Sequence, residues 1–212
     1  MKLIALMLSL AGSPCPAGTP ALPAPPFAGG EKFTFIKTQG AVSLYERWLE
    51  IEPGRQGREV KAEFTVSQPP AAVVALLRDE AQAKDWMRRV GECRILPGTH
   101  GRSWLAYVHY NIPWPISDQD CLLRYEQRQE GGQLHIAFRS AAHSDYPPKP
   151  RVKRMAGIAG AWLLTPQADG RTQITYTVMT SETPTLPRWA TDPLVQSNLL
   201  DTMNAFCALL KK

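Results

Sequence analysis

The chain carries four histidines, His100, His109, His135 and His143, and three cysteines beyond its N-terminal region, Cys93, Cys121 and Cys207. No two histidines stand at the H-x-x-x-H or H-E-x-x-H spacing that aims two ring nitrogens at one metal ion. An odd number of widely spaced cysteines, with no C-x-x-C pair, makes neither a disulfide framework nor a zinc site. Cys121 falls in a strand pattern and Cys207 in a helix pattern, so both read as small core residues. The sequence lacks the nucleophile elbow G-x-S-x-G, the phosphate loop G-x-x-x-x-G-K-[ST] and the dinucleotide loop G-x-G-x-x-G. Asp118 and Asp120 are close enough in sequence to act as an acid pair. They follow the stiff run Pro113-Trp114-Pro115-Ile116-Ser117, however, where Asp and Ser side chains close turns and cap backbone N–H groups. Turn and cap roles are therefore expected for both. His109 and His135 read as exposed or singly hydrogen-bonded residues on neighbouring strands. Neither a catalytic group, a metal nor a cofactor is expected.

The elements around these residues follow from periodicity. Trp104 to Tyr110 is rich in aromatic and β-branched residues and reads as a strand. It stops at Pro113 and Pro115, which have no N–H to give to a sheet. A second strand starts at Cys121, so the pair forms a hairpin with a rigid, aromatic connection. Upstream, Ala41–Trp48 reads as a strand after a turn at Gln39-Gly40. Glu59–Val66 alternates cleanly, with Val60, Ala62, Phe64 and Val66 on one face. These two should pair across Pro53-Gly54. Pro69-Pro70 opens a helix over 71–84, since proline suits a first turn. Cys93–Leu96, Leu134–Ser140, a strand from Arg151 continuing through Gly157–Thr165, and Thr172–Ser181 complete a run of antiparallel strands. Asp192-Pro193 reads as the cap and first residue of a last helix running to about Leu210, with Leu194, Val195, Leu199, Met203, Phe206 and Leu210 at helical spacing. The fold class is α+β: a curved antiparallel sheet whose concave face is covered by the final helix.

Composition agrees with one domain in 212 residues, with 44% hydrophobic and 20% charged side chains. The formal charge of +5 suits transient contact with an anionic membrane surface. The basic group Lys149, Arg151, Lys153 and Arg154 has no interleaved aromatic platform, so nucleic acid is not an expected partner. Met1-Lys2 followed by the apolar run Leu3–Ala11, then small residues and prolines, reads as a secretory signal peptide. The run is too short to span a bilayer. Cleavage after Ala17 or Ala21 fits; the second choice gives a leader over 1–21, a Pro/Ala/Gly-rich spacer over 22–30 and a folded domain over 31–212. The expected location is periplasmic or secreted, and the expected state a monomer. Pro14, directly before Cys15, argues against acylation of that thiol.

Three stretches carry a family resemblance. Pro113-Trp114-Pro115-Ile116-Ser117-Asp118-Gln119-Asp120 resembles the P-W-P-x-S-x-R-D hallmark of START (steroidogenic-acute-regulatory-related lipid-transfer) domains. Arg151 to Pro166 resembles their V-R-x-x-x-x-x-S-G-W-x-L-x-P stretch, with Val152 and Trp162 at the matching places. Thr185-Leu186-Pro187-Arg188-Trp189 resembles G-W-L-P-x-W. The three occur in the family's order, and the likeness runs from about Phe33 to Lys212. Small secreted bacterial members look most similar. Two departures stand out. Gln119 replaces the usual Arg, and Ser181-Glu182-Thr183-Pro184 replaces D-P-x-G in a loop that borders the family's cavity.

The resemblance implies the helix-grip fold, with an internal hydrophobic cavity between the sheet and the long C-terminal helix. It implies non-catalytic binding, and possible transfer, of a lipid or sterol-like molecule. Alternation then names the inward-facing ligand residues: Ala106 and Val108, Leu123 and Tyr125, Ile136 and Phe138, and Tyr176 on the strands, with Leu199, Met203 and Phe206 on the helix. The alternative is an enzyme of the related cyclase/aromatase type. That reading needs a polar cluster inside the cavity, and alternation puts His109, His135 and Arg139 on the opposite faces.

Overall fold

A computed structural model describes residues 32–96, 101–112, 114, 117–181 and 188–211, the side chains of 188–191 excepted. In chain order the elements are β1 (Thr34–Gln39), β2 (Val42–Glu52), β3 (Arg55–Val66), α1 (Pro70–Leu77), α2 (Ala83–Trp86), β4 (Val90–Ile95), β5 (Ser103–Tyr110), β6 (Gln119–Glu130), β7 (Gln133–Ser140), β8 (Lys153–Arg154), β9 (Ile158–Pro166), β10 (Thr172–Thr180) and α3 (Arg188–Leu209). The strands form one sheet in the order β1-β2-β3-β10-β9-β7-β6-β5-β4, with the two-residue β8 paired to β6. The last hairpin, β9–β10, returns to lie between β3 and β7, so the first three strands join the middle four through the end of the chain.

The pattern of two decides which face each strand buries. Val42 and Leu44 of β2, Val60, Ala62 and Phe64 of β3, Ile136 and Phe138 of β7, Trp162 and Leu164 of β9 and Ile174 of β10 share one core. From the helix, Leu199, Leu200, Met203, Phe206, Cys207 and Leu210 pack into the same core. Phe206 is its pivot: it is fully buried and meets Trp86 at 4.8 Å, Trp162 at 5.2 Å and Phe64 at 6.4 Å between ring centroids. Asn204 anchors the same helix to the β1–β2 turn, donating from Nδ2 to the Gln39 carbonyl at 2.9 Å and accepting the Ala41 N–H at 3.2 Å. Gly40 has a positive φ of 60° there, and a Cβ would run into Asn204. Gly160 serves a close approach instead: a Cβ would collide with the Phe138 ring and the Thr177 carbonyl.

Four sequence expectations change. The single helix over 71–84 is two, α1 and α2, because Asp79 offers the backbone another partner. Its carboxylate accepts the N–H groups of Ala81 at 2.9 Å and Gln82 at 3.0 Å, and the Gln82 side chain at 2.6 Å. The continuous strand from Arg151 is β8 and β9, separated at Gly157, whose φ is +64°. The last helix starts at Arg188, so Pro193 lies inside it rather than at its first position. Asp120 is a strand residue, not a turn or cap. Asp118 does hold the expected role, accepting the Ile112 N–H at 2.9 Å. Pro113, Pro115, Ile116 and the Thr185–Pro187 part of the third motif lie outside the described residues, as do the leader and spacer.

Candidate functional site

The hairpin β5–β6 has two working faces. Leu105, Tyr107 and Leu122 point outward and form a second, smaller cluster with Leu96, covered by Ala141 and Tyr146 from the loop after β7. Asp120 shares that outer face. It is fully buried and accepts two bonds from Arg154, Nε to Oδ1 at 2.6 Å and Nη2 to Oδ2 at 3.0 Å, and one from the Tyr107 hydroxyl at 3.1 Å. Burial alone would raise this carboxyl, but the Arg154 and Tyr107 bonds outweigh it and hold it below the ordinary carboxylate range. Arg154 is therefore no member of a free basic patch. Lys149, from the same basic group, lies 4.9 Å over the Tyr107 ring.

The inner face holds the residues expected to meet ligand. Ala106, Val108, Leu123, Tyr125, Ile136, Phe138, Tyr176, Leu199, Met203 and Phe206 all fall on or against the main core, so the register read from alternation is the register of the sheet. The structure sorts them. Ile136 and Phe206 are fully sealed, and Ala106, Val108, Phe138 and Met203 nearly so. Leu123 and Leu199 sit just inside the buried range. Tyr125 and Tyr176 behave differently. Both are enclosed by protein, and burial pushes both hydroxyls up, that of Tyr125 well above its usual value. Yet both keep accessible surface. That surface lies on the inner face, beside the core that α3 covers. Tyr110, also raised by burial, keeps accessible surface on the same face, and Val178 is half-buried beside the core there.

Aromatic rings make this wall continuous. Trp104 stacks on Tyr125 at 4.9 Å with an interplanar angle of 1°. Tyr125 meets Phe138 at 5.4 Å, Phe138 meets Tyr176 at 5.8 Å, and Tyr176 meets Trp162 at 4.6 Å. Five neighbouring strands thus contribute rings to one chain of contacts on the inner face, and Tyr125 and Tyr176 are the two of these rings that keep accessible surface. Two thiols lie nearby, and burial pushes Cys121 up to about 12 and Cys93 to about 11, so both stay protonated and unreactive. Near the start of α3, Arg58 bridges sheet and helix, with Nη1 2.7 Å from Asp192 on α3 and 3.4 Å from Glu46 on β2. These ions hold the early part of the helix over the sheet.

Alternation also reaches residues left out of the first set. Tyr110 continues the series Ala106, Val108; Arg58 continues Val60, Ala62 backward. Tyr110 ends the strand read over 104–110, whereas the strand read over 59–66 stops one residue short of Arg58. The polar groups an enzyme would need are elsewhere. His109 lies on the outer face, 3.6 Å from Asp118. His135 pairs with Arg128 and Leu163, and Arg139 is exposed, so both stand opposite the inward Leu134, Ile136 and Phe138. His100 lies outside the described residues.

A family model described as START domain matches residues 42–212. The chain belongs to the START domain family. Among solved structures, this START domain is similar to the STAR-related lipid transfer protein of Xanthomonas axonopodis, at 24% identity and a TM-score of 0.73, covering 86% of this chain and all of that one (100%). It is 21% identical over 182 residues to an uncharacterised protein of Pseudomonas aeruginosa, covering 86% of this chain and 88% of that protein. The Zhui aromatase/cyclase of a Streptomyces species shares the fold more distantly, at 18% identity and a TM-score of 0.52, over 73% of this chain and 93% of that one. The helix-grip fold and the family drawn from the three motifs are therefore those of the protein.

Proposed function

We propose that this START domain binds a hydrophobic molecule, such as a lipid or sterol-like compound, without transforming it. The site is the space between the inner sheet face and α3. The observation that carries the reading is the enclosed but accessible surface of Tyr110, Tyr125 and Tyr176 on a wall otherwise made of aromatic and aliphatic groups. An apolar interior of this kind gains about 0.8 kcal/mol per methylene that leaves water. The cyclase-type alternative would draw on His109, His135 and Arg139, and the placement of all three on the other face supports binding over catalysis. Transfer between surfaces is part of the proposal. Trp114, 92% exposed in the β5–β6 connection, and the exposed Leu194 and Val195 near the start of α3 are suited to a transient membrane contact, which the net charge of +5 favours. We further propose a monomer acting in the periplasm or outside the cell, on the N-terminal leader pattern.

The test uses the full chain and N-phenylnaphthylamine, a neutral dye that fluoresces in apolar surroundings. Saturable fluorescence, displaced by lipid extracted from the source cells, supports the proposal. A flat titration with no lipid taken up from labelled vesicles overturns it.

A further inference from the structure

The outer face of the sheet holds a pairing that the fold does not balance. Arg124 of β6 and Arg139 of β7 stand directly opposite each other, with Cβ atoms about 5 Å apart. Like charges so placed repel, and a broken local rule of this kind marks a position kept for something outside the fold. Among the described residues, Arg124 is half-buried yet has no hydrogen bond or ion pair. Arg139 is 55% exposed and reaches Glu126 only at 3.9 Å. Further along the same ladder Arg128 faces His135, but Glu130 already holds Arg128 at 3.3 Å. Beside the two arginines the outer positions carry short side chains: Ala137 on β7, Ala159 and Ala161 on β9, Thr175 and Thr177 on β10. Among the described residues no helix lies over this floor, since Val73 of α1, Trp86 of α2 and Phe206 of α3 all pack into the inner core. The loop after β7 covers only the cluster around Tyr107 on β5 and β6.

We propose that Arg124 and Arg139 form a docking site for an acidic, extended segment of a partner protein, laid across the outer face of β6, β7 and β9. Each guanidinium presents a planar fork of donors that meets a carboxylate in two parallel bonds, so the pair suits Asp or Glu side chains on a bound strand. The short side chains next to them leave room for a backbone to come close. An anionic bilayer fits this face less well. Lipid-binding patches gather about four or more basic residues, or set apolar groups to enter the membrane. The exposed large hydrophobic residues, Phe35, Trp114, Leu194 and Val195, stand instead on β1, the β5–β6 connection and α3. Nucleic acid fits less well too, because the outer positions of β6, β7, β9 and β10 hold no Trp, Tyr or Phe on which a base could stack. The outer and inner faces are opposite sides of one sheet, so a docked partner leaves the inner face and α3 free. The site therefore stands independently of what the domain binds inside.

The experiment titrates the full chain with a fluorescein-labelled peptide of alternating Glu and Thr, about eight residues long, whose carboxylates fall on one side of an extended strand. Wild type should bind it with an affinity that falls as salt is added. Arg124→Gln/Arg139→Gln should weaken binding about tenfold or more, the worth of a hydrogen bond to a charged group, with N-phenylnaphthylamine binding and melting temperature unchanged. Arg139→Gln alone, at the exposed position, should cost about threefold or more, which separates the site from any effect of Arg124 on folding. Lys84→Gln/Arg88→Gln removes the same charge from exposed residues at α2 and should stay within about twofold of wild type. No peptide binding by wild type, or equal losses in the two double variants, overturns the site. Phosphatidylglycerol vesicles or oligothymidylate that bind wild type more tightly than the peptide does, and lose that binding in the arginine variant, overturn the protein partner. A wild-type chain that binds the peptide but not the dye upholds the docking site and overturns the binding function proposed above.

Discussion

Replacing Asp120 with Asn removes one charge from a pair that is sealed on the Asp side. Arg154 would lose its counter-charge and keep at most one bond to the amide oxygen, beside the carbonyls of Tyr146 at 3.1 Å and Pro147 at 3.3 Å. Breaking a buried pair from one side costs about 3–5 kcal/mol, because the remaining charge stays desolvated. A chain of this length shifts by about 2–4 °C per kcal/mol, so a loss of about 3 kcal/mol lowers the melting temperature by about 6–12 °C. Thermal and urea unfolding of Asp120→Asn, Arg154→Met and the double variant form the cycle. The double variant should recover more than half of the loss, since no unpaired charge remains. The pH dependence follows from the sign of the shift. A carboxyl held below its ordinary value stabilises the fold above the unfolded-state pKa near about 4, and that contribution disappears as pH falls through the folded-state value. Wild type and Asp120→Asn should therefore differ by a constant amount above about pH 5 and converge in stronger acid. A loss under about 1 kcal/mol, or a gap that widens in acid, refutes the reasoning.

Three further outcomes follow from the inner face. Val178→Phe adds a ring on the inner face beside the Phe138 ring that covers Gly160 and should weaken N-phenylnaphthylamine binding by about tenfold or more; unchanged affinity would remove Val178 from the wall. Phe206→Ala empties the junction of Trp86, Trp162 and Phe64 and should cost about 3–5 kcal/mol in urea unfolding; a loss below about 1 kcal/mol would show that α3 is held by other contacts. Trp114→Ala should slow delivery of bound dye to anionic vesicles several-fold while leaving its equilibrium affinity alone, and equal transfer rates would exclude this residue from the membrane contact.

Much of this arrangement was legible before any coordinates. Strand alternation is strict wherever one face is buried, so Ala106, Leu123, Phe138 and Tyr176 could be assigned to the inner face from sequence. What alternation does not carry is depth. It treats Ile136 and Tyr125 alike, yet one is sealed and the other keeps accessible surface, a difference set by how α3 and the neighbouring strands pack over them. Asp120 failed for another reason. Beside a proline-rich turn an Asp reads as a cap, and nothing local signals that an arginine 34 residues later will reach it. Asp79 broke a helix by the same chemistry that Asp118 uses to close a loop. Its side chain competes for nearby N–H groups, and helical spacing of Val73, Leu76 and Leu77 gave no warning of it.

The central claim is that the space under α3 is built to hold a hydrophobic molecule. Native mass spectrometry of the full chain purified from its own cells, followed by denaturation and organic extraction, tests it most directly. The account predicts a bound species that adds mass under native conditions, is lost on unfolding and partitions into the organic phase. A chain at its bare mass, with no uptake from vesicles of its own lipid, would contradict it.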